Sequence, residues 1–256
     1  MRVRFHLPDF SGNFKLNLMF AEMLKHRPDL FREGVEIASF YGVFPPSIWN
    51  GGRTIGGTCD EAFIKNVIKT INFIRAVIKA VNDRGIPLRF TFTNPVLEKK
   101  HLSDPFCNMV MAMANNGLNE AIVVSPLLED YIRNNYPKYK LTSSTCKRIT
   151  DPKALEEELG RDYHIVVVDY DFNNNWEVLE KLPRKKDCEL LVNACCEPNC
   201  PRRSAHYRCI GVQQIAYNEH IKKYKNLPFD AAKYDPENFR NCPYSQRGIF
   251  DIRGLR

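Results

Sequence analysis

Asp151-Pro-Lys-Ala-Leu-Glu-Glu-Glu-Leu-Gly-Arg-Asp-Tyr-His-Ile-Val-Val-Val-Asp169 contains one full repeat of the pattern from which the chain is built. Pro152 suits the first position of a helix, where its missing N–H costs nothing, and the helix runs to Leu159. A strand follows over 164–169. Ile165 to Val168 is unbroken apolar sequence, as expected of a parallel strand covered on both faces. A helix leading directly into such a strand is half of a βαβ unit.

The same alternation extends in both directions. Strands are expected at 3–7, 35–41, 88–93, 120–124, 140–144 and 189–192. Helices are expected at 14–25, 63–82, 104–115, 126–135 and 176–182. The longest of them, Phe63 to Asn82, places Ile64, Val67, Ile68, Ile71, Ile74, Val77, Ile78 and Val81 on one broad stripe. Seven strands separated by helices point to an α/β fold, first a (β/α) barrel and second a doubly wound sheet, since strand order is invisible in sequence. An eighth unit is hard to find. After Cys209 come a helical stretch, Val212 to Tyr224, and then polar sequence with Pro228, Pro236 and Pro243. The expectation is therefore an open or incomplete barrel of about seven units over 1–210, with 211–256 as a C-terminal extension packing on it. A fragment of a longer chain is the other explanation.

The 256 residues carry a formal net charge of +7 and are 44% apolar, an ordinary globular composition. The basic runs are short and fit a solvated surface; an RNA or anionic-substrate surface is the competing reading. No apolar run reaches the length of a membrane span, and Met1-Arg-Val-Arg-Phe-His lacks the form of a signal peptide. A cytoplasmic location is expected, where nine cysteines read as ligands, catalytic groups or buried thiols rather than disulfides.

In either α/β architecture, ligands sit at the carboxyl ends of the strands. Those ends read Asn50-Gly-Gly-Arg53, Thr93-Asn94-Pro95, Ser125-Pro126, Ser143-Ser-Thr-Cys146, Asp169-Tyr-Asp-Phe-Asn-Asn-Asn175 and Asn193-Ala-Cys-Cys196. Loops are polar anyway, and amides such as Asn94 and Asn193 can lock backbone as readily as they bind a ligand. Arg53 offers a fork for a carboxylate or phosphate behind two glycines, although a plain turn explains the glycines equally well. The stretch is neither a P-loop nor a dinucleotide fingerprint. Arg53, Asn94, Asp169, Asn193 and His206 are the candidate substrate-binding residues.

Five of the nine cysteines lie in Cys188-Glu-Leu-Leu-Val-Asn-Ala-Cys-Cys-Glu-Pro-Asn-Cys-Pro-Arg-Arg-Ser-Ala-His-Tyr-Arg-Cys209. Pro198 and Pro201 stiffen the loop after the last strand. Cys196 and Cys200 form a C-x3-C pair able to ligate one centre, and Cys242, followed by Pro243, is the best distant partner. Cys188, Cys195 or Cys209 would be the fourth ligand of an iron–sulfur cluster or a structural zinc. Adjacent Cys195 and Cys196 point oppositely if extended, so one of them ligates. The knuckles of a zinc ribbon are missing, and so is the early triad of radical enzymes. Cys59, Cys107 and Cys146 read as buried thiols without a ligand role. His206 reads as a helper behind the ligands, an acid–base group or a packed ring.

Leu-Val-Asn-x-x-Cys-x-x-x-Cys-Pro-x-Arg-x-x-His-Tyr over 191–207, with the later Cys242-Pro243, resembles the collagenase-like peptidase U-type family. The resemblance is strongest to its relatives in oxygen-independent hydroxylation of ubiquinone precursors, tRNA and rRNA. It implies an α/β barrel holding a [4Fe-4S] cluster on Cys188, Cys196, Cys200 and Cys242, with a small-molecule or RNA-borne substrate and an electron-donor partner. A zinc-stapled binding or structural module is the alternative, and a metal-free barrel using Arg53 and Asp169 is a third. No peptidase nucleophile or catalytic zinc pattern accompanies the resemblance.

Overall fold

The computed structural model describes residues 2–51, 67–192, 194, 196–224 and 228–242. Seven strands form one sheet: β1 Val3–Pro8, β2 Val35–Gly42, β3 Leu88–Phe92, β4 Glu120–Val123, β5 Lys140–Ser143, β6 Ile165–Val168 and β7 Cys188–Leu190. They lie side by side in chain order and every neighbouring pair is parallel. A doubly wound sheet reverses its order at a switch point; this sheet does not. It curls instead, bringing its two edge strands together across the interior. His6 Nε2 on β1 stands 3.7 Å from Glu189 Oε2 on β7. The result is an open (β/α) barrel of seven units.

The connecting helices are α1 Phe14–His26, α2 Val67–Asn82, α3 Lys99–Leu102, α4 Pro105–Met113, α5 Pro126–Asn135, α6 Pro152–Leu159 and α7 Trp176–Lys181. One device starts three of them. Asp104, Ser125 and Asp151 each accept from a backbone N–H three residues on, ahead of a proline at the first helical position.

Alternation along the strands divides the molecule into two compartments. Leu88, Phe90 and Phe92 of β3, Ala121 and Val123 of β4, Leu141 of β5, and Val166 and Val168 of β6 belong to the core under the helices. The intervening residues Arg89, Thr91, Glu120, Ile122, Thr142, Val167 and Glu189 therefore face the barrel interior, and most of them are polar. The helix-side core is aromatic: Phe10 packs on Phe44 and Phe90 at centroid distances of 5.0 and 5.4 Å, and Trp49 on Phe92 at 5.2 Å.

The final helix departs most from expectation. Instead of starting at Val212 it is one 21-residue element, α8 Arg203–Lys223, so position 210 lies inside it rather than at the end of a unit. α8 crosses the mouth of the barrel. Gln214 Nε2 donates to Ser47 O at 3.1 Å and Asn218 Nδ2 to Pro46 O at 2.6 Å, both in the loop after β2. Gly211 lies against Asn94, where a Cβ would meet Asn94 Oδ1 at 2.4 Å. Residues 228–242 pack along the outer side of α8, where Phe229 meets Tyr217 at 5.4 Å and Phe239 stacks on His206 at 4.7 Å.

Candidate functional site

Below α8, at the carboxyl ends of the strands, lies a cavity of about 350 Å³. Tyr41, Thr91, Ile122, Val167 and Leu191 wall it from the sheet, and Tyr207, Gln214 and Tyr217 cover it from α8. Its floor is ionic. Arg89, with its side chain 0% exposed, lies 2.5 Å from Glu189 and 3.3 Å from Glu120, and donates to Thr142 Oγ1 at 3.3 Å. Glu189 also lines the cavity, so one end of this charged layer is open to a ligand. His6, bonded to Ser39 Oγ at 2.6 Å, completes the layer. Burial, more than the nearby Arg89, pushes its pKa down to about 4 against the pull of Glu189 and Glu120.

The thiol loop stands beside this cavity, fixed by a buried four-charge knot. Arg203, in the first turn of α8, reaches Asp169 at 3.3 Å and Asp171 at 3.0 Å, with its guanidinium 3.9 Å above the Tyr170 ring. Arg148 closes the knot, at 2.9 Å from Asp169 and 2.8 Å from Asp171. The loop hangs from it: Arg203 Nη2 donates to Glu197 O, and Asn199 N donates to Asp171 Oδ1 at 2.8 Å. Asn199 has φ 52, a left-handed backbone that asparagine tolerates. Burial raises the pKa of Asp169. Asp171 also feels burial, but its bonds to Arg148, Arg203 and Asn199 N outweigh it and lower its pKa. Cys196 lies within electrostatic reach of Arg203 and Tyr170, and Tyr170 lies near Tyr207 over the cavity.

The predicted ligands separate. Cys200 and Cys242 are buried and Cys196 is half-buried. The segments that carry them are anchored at the α8 N-terminal end: Arg203 bonds Glu197 O, and Arg202 bonds Glu237 O at 2.6 Å and lies 4.5 Å over Phe239. Cys188 stands apart from these three. It opens β7 at the amino end, packs towards the helix-side core and has its sulfur 3.8 Å from Arg184 O. Strand parity and direction both take it away from the carboxyl-end loop. Cys209 is committed elsewhere, its thiol donating to Tyr234 O at 3.2 Å and Asp235 at 3.5 Å, with burial pushing its pKa up to about 11. Cys195 and Cys59 lie outside the described residues. Among the described residues no group of three or more His, Cys, Asp or Glu side chains is arranged to hold a metal ion.

The predicted substrate residues are also redistributed. Asn94 is fully buried; its amide donates to Ile48 O at 2.8 Å and Gly211 O at 3.2 Å and accepts from Val96 N at 3.0 Å. It ties two loops to α8 and does not line the cavity. Asp169 is spent in the knot, its side chain 1% exposed. His206 stacks on Phe239 and does not face the cavity, and burial lowers its pKa. Arg53 and Asn193 lie outside the described residues. Of the strand-end stretches, Asn50, Gly51, Thr93, Ser144, Thr145 and Cys146 do line the cavity, as does Tyr207 of the motif, whereas Tyr41, Glu189 and Tyr217 were not singled out from sequence. One signal was available for the interior: Leu-Arg-Phe-Thr-Phe-Thr over 88–93 alternates strictly, marking a polar interior face.

No protein-family model matches the chain, and no curated protein matches it. Among solved structures, that of the U32 peptidase Mk0906 superposes with a TM-score of 0.54 at 13% identity, over 99% of this chain and 89% of that one. At that identity the likeness is one of fold. It supports the barrel relationship expected from residues 191–207. Among the described residues no helix is long and apolar enough to cross a membrane.

Proposed function

We propose that this chain is an α/β-barrel protein of redox or hydroxylation type. It would bind a small or RNA-borne substrate group in the mouth cavity beside an iron–sulfur centre on the thiol loop. Cys196, Cys200 and Cys242 would hold the centre. With Cys188 at the wrong end of its strand and Cys209 engaged with Asp235, Cys195 is the candidate for the fourth position. A [4Fe-4S] cluster, when bound, supplies one-electron chemistry; zinc on the same thiols would only staple the C-terminal segment to the barrel.

The carrying observation is that the Cys196–Cys200 loop and the segment ending at Cys242 are both anchored on the first turns of α8, next to a cavity at the strand ends, although among the described residues the three thiols are not themselves gathered as a metal site. The buried Arg203 guanidinium near Cys196 supports it, since a neighbouring cation stabilises a negatively charged centre. The chain's own groups divide the remaining work. Arg203 and Asp171 orient the loop, and Tyr207 and Tyr217 cover the ligand space.

Anaerobic reconstitution with iron and sulfide, read by iron content and visible absorption, tests this reading. About four irons per chain are expected. Cys200→Ser should lower uptake severely, whereas Cys188→Ser should leave it unchanged. Colourless, iron-free wild-type protein would refute the iron–sulfur reading, and one zinc per chain under the same conditions would favour the staple.

A further inference from the structure

The charge of the mouth cavity selects among ligands. Resting on the reading that this cavity is the ligand site, we propose that it accepts a small organic cation: an amine whose body is aromatic or apolar.

Strand parity directs Arg89, Glu120 and Glu189 into one interior layer, so the floor holds one guanidinium against two carboxylates. Arg89 is used up within that layer, at 2.5 Å from Glu189 and 3.3 Å from Glu120, and is 0% exposed. It does not line the cavity and so offers no face to an incoming anion. His6 adds no charge at neutral pH, its ring buried against Ser39 and Glu189. His164 lies 3.1 Å from Glu120, on the amino-end side of the layer and away from the cavity. The carboxylate that opens to the cavity is Glu189, and Asp9 brings a second at the rim. The described lining residues include neither lysine nor arginine. In a partly enclosed site such an imbalance acts through a lower dielectric than water's, attracting cations and repelling phosphates and carboxylates.

The walls suit the rest of such a ligand. Tyr41, Tyr207 and Tyr217 contribute rings, whose faces favour a cation, and Ile122, Val167 and Leu191 contribute apolar surface. A volume of about 350 Å³ is that of a small-molecule site.

Calorimetric titration of the full chain with three probes of one shape tests the proposal: tyramine, its neutral alcohol analogue tyrosol, and 4-hydroxyphenylacetate. Tyramine should bind roughly tenfold or more tighter than tyrosol, as a charge-assisted hydrogen bond implies, with the acid weakest. Glu189→Gln should reduce tyramine to the level of tyrosol while leaving tyrosol unchanged, which also shows that the cavity survives the substitution. The ranking on wild-type protein decides the matter even if that variant fails to fold. Equal or tighter binding of the alcohol or the acid would overturn the cation preference and leave the cavity as a ligand site. Binding of none of the three would overturn the ligand-site reading as well.

Discussion

Replacing Arg203 with methionine removes the cation at the centre of the knot while keeping most of its apolar stem. Asp169 and Asp171, with side chains 1% and 5% exposed, would then share only Arg148. Leaving one buried carboxylate unpaired costs about 3–5 kcal/mol, a large fraction of the stability of an ordinary domain. The cation–π contact with Tyr170 and the bond to Glu197 O fall within that figure rather than adding to it. A second consequence separates this cost from simple loss of packing. Burial already raises the pKa of Asp169, so without Arg203 the folded state relieves the excess charge by taking up a proton that the unfolded chain does not hold. The penalty should therefore shrink as pH falls. Urea unfolding at pH 7 and pH 5, with the slope checked for constancy, measures both effects. A loss below about 0.5 kcal/mol at pH 7, or a loss greater at pH 5 than at pH 7, would refute the account, since the first is the size of an ordinary surface substitution.

His6 should make the fold acid-sensitive. Its pKa is lowered from 6.5 to about 4, so between those values the unfolded chain binds a proton that the folded chain refuses. Stability then falls as pH drops through that window, by at most about 3 kcal/mol, and His6→Gln should flatten the difference in melting temperature between pH 7 and pH 4. Gly211→Ala sets helix propensity against packing. Alanine favours a helix by about 1 kcal/mol, but its Cβ would lie 2.4 Å from Asn94 Oδ1 and 3.0 Å from Val96 Cγ2. Displacing a buried amide that bonds two carbonyls should win, giving a net loss of about 1–3 kcal/mol by chemical denaturation; a stabilised variant would show that the contact at Asn94 yields freely.

The barrel was legible because its signals are local. Ile165 to Val168 reads as a buried strand, and the prolines at 105, 126 and 152 mark helix starts. The sheet's order and its curl are not local properties, and the pairing of β1 with β2 through to β7 comes only from the structure. The site was less legible for the same reason. Cys188 looked like a ligand because it is close in sequence to Cys196, yet strand direction places it at the opposite end of β7. Asn94 and Asp169 sit at strand ends as expected of ligand residues, but the backbone carbonyls and guanidiniums that occupy them come from residues as distant in the chain as Gly211 and Arg203.

α8 shows why the polar part of such a design escapes a search for periodicity. An amphipathic helix announces itself when its buried face is apolar. Arg203, Gln214 and Asn218 are among the buried residues of α8, alongside Ile210, Gly211 and Ala216. Its attachment to the barrel runs through side-chain bonds to Asp171, Ser47 O and Pro46 O as well as through apolar contact. The stretch from Val212 reads as helical in the sequence but the turns before it do not, and each polar group fixes the helix in the fold, because a buried amide or guanidinium is tolerated only where its partners stand. One rigid element thereby joins the thiol loop at its first turn to the cavity at its middle. The tyrosine that lies near Tyr170, beside Cys196, is the same Tyr207 that covers the ligand space.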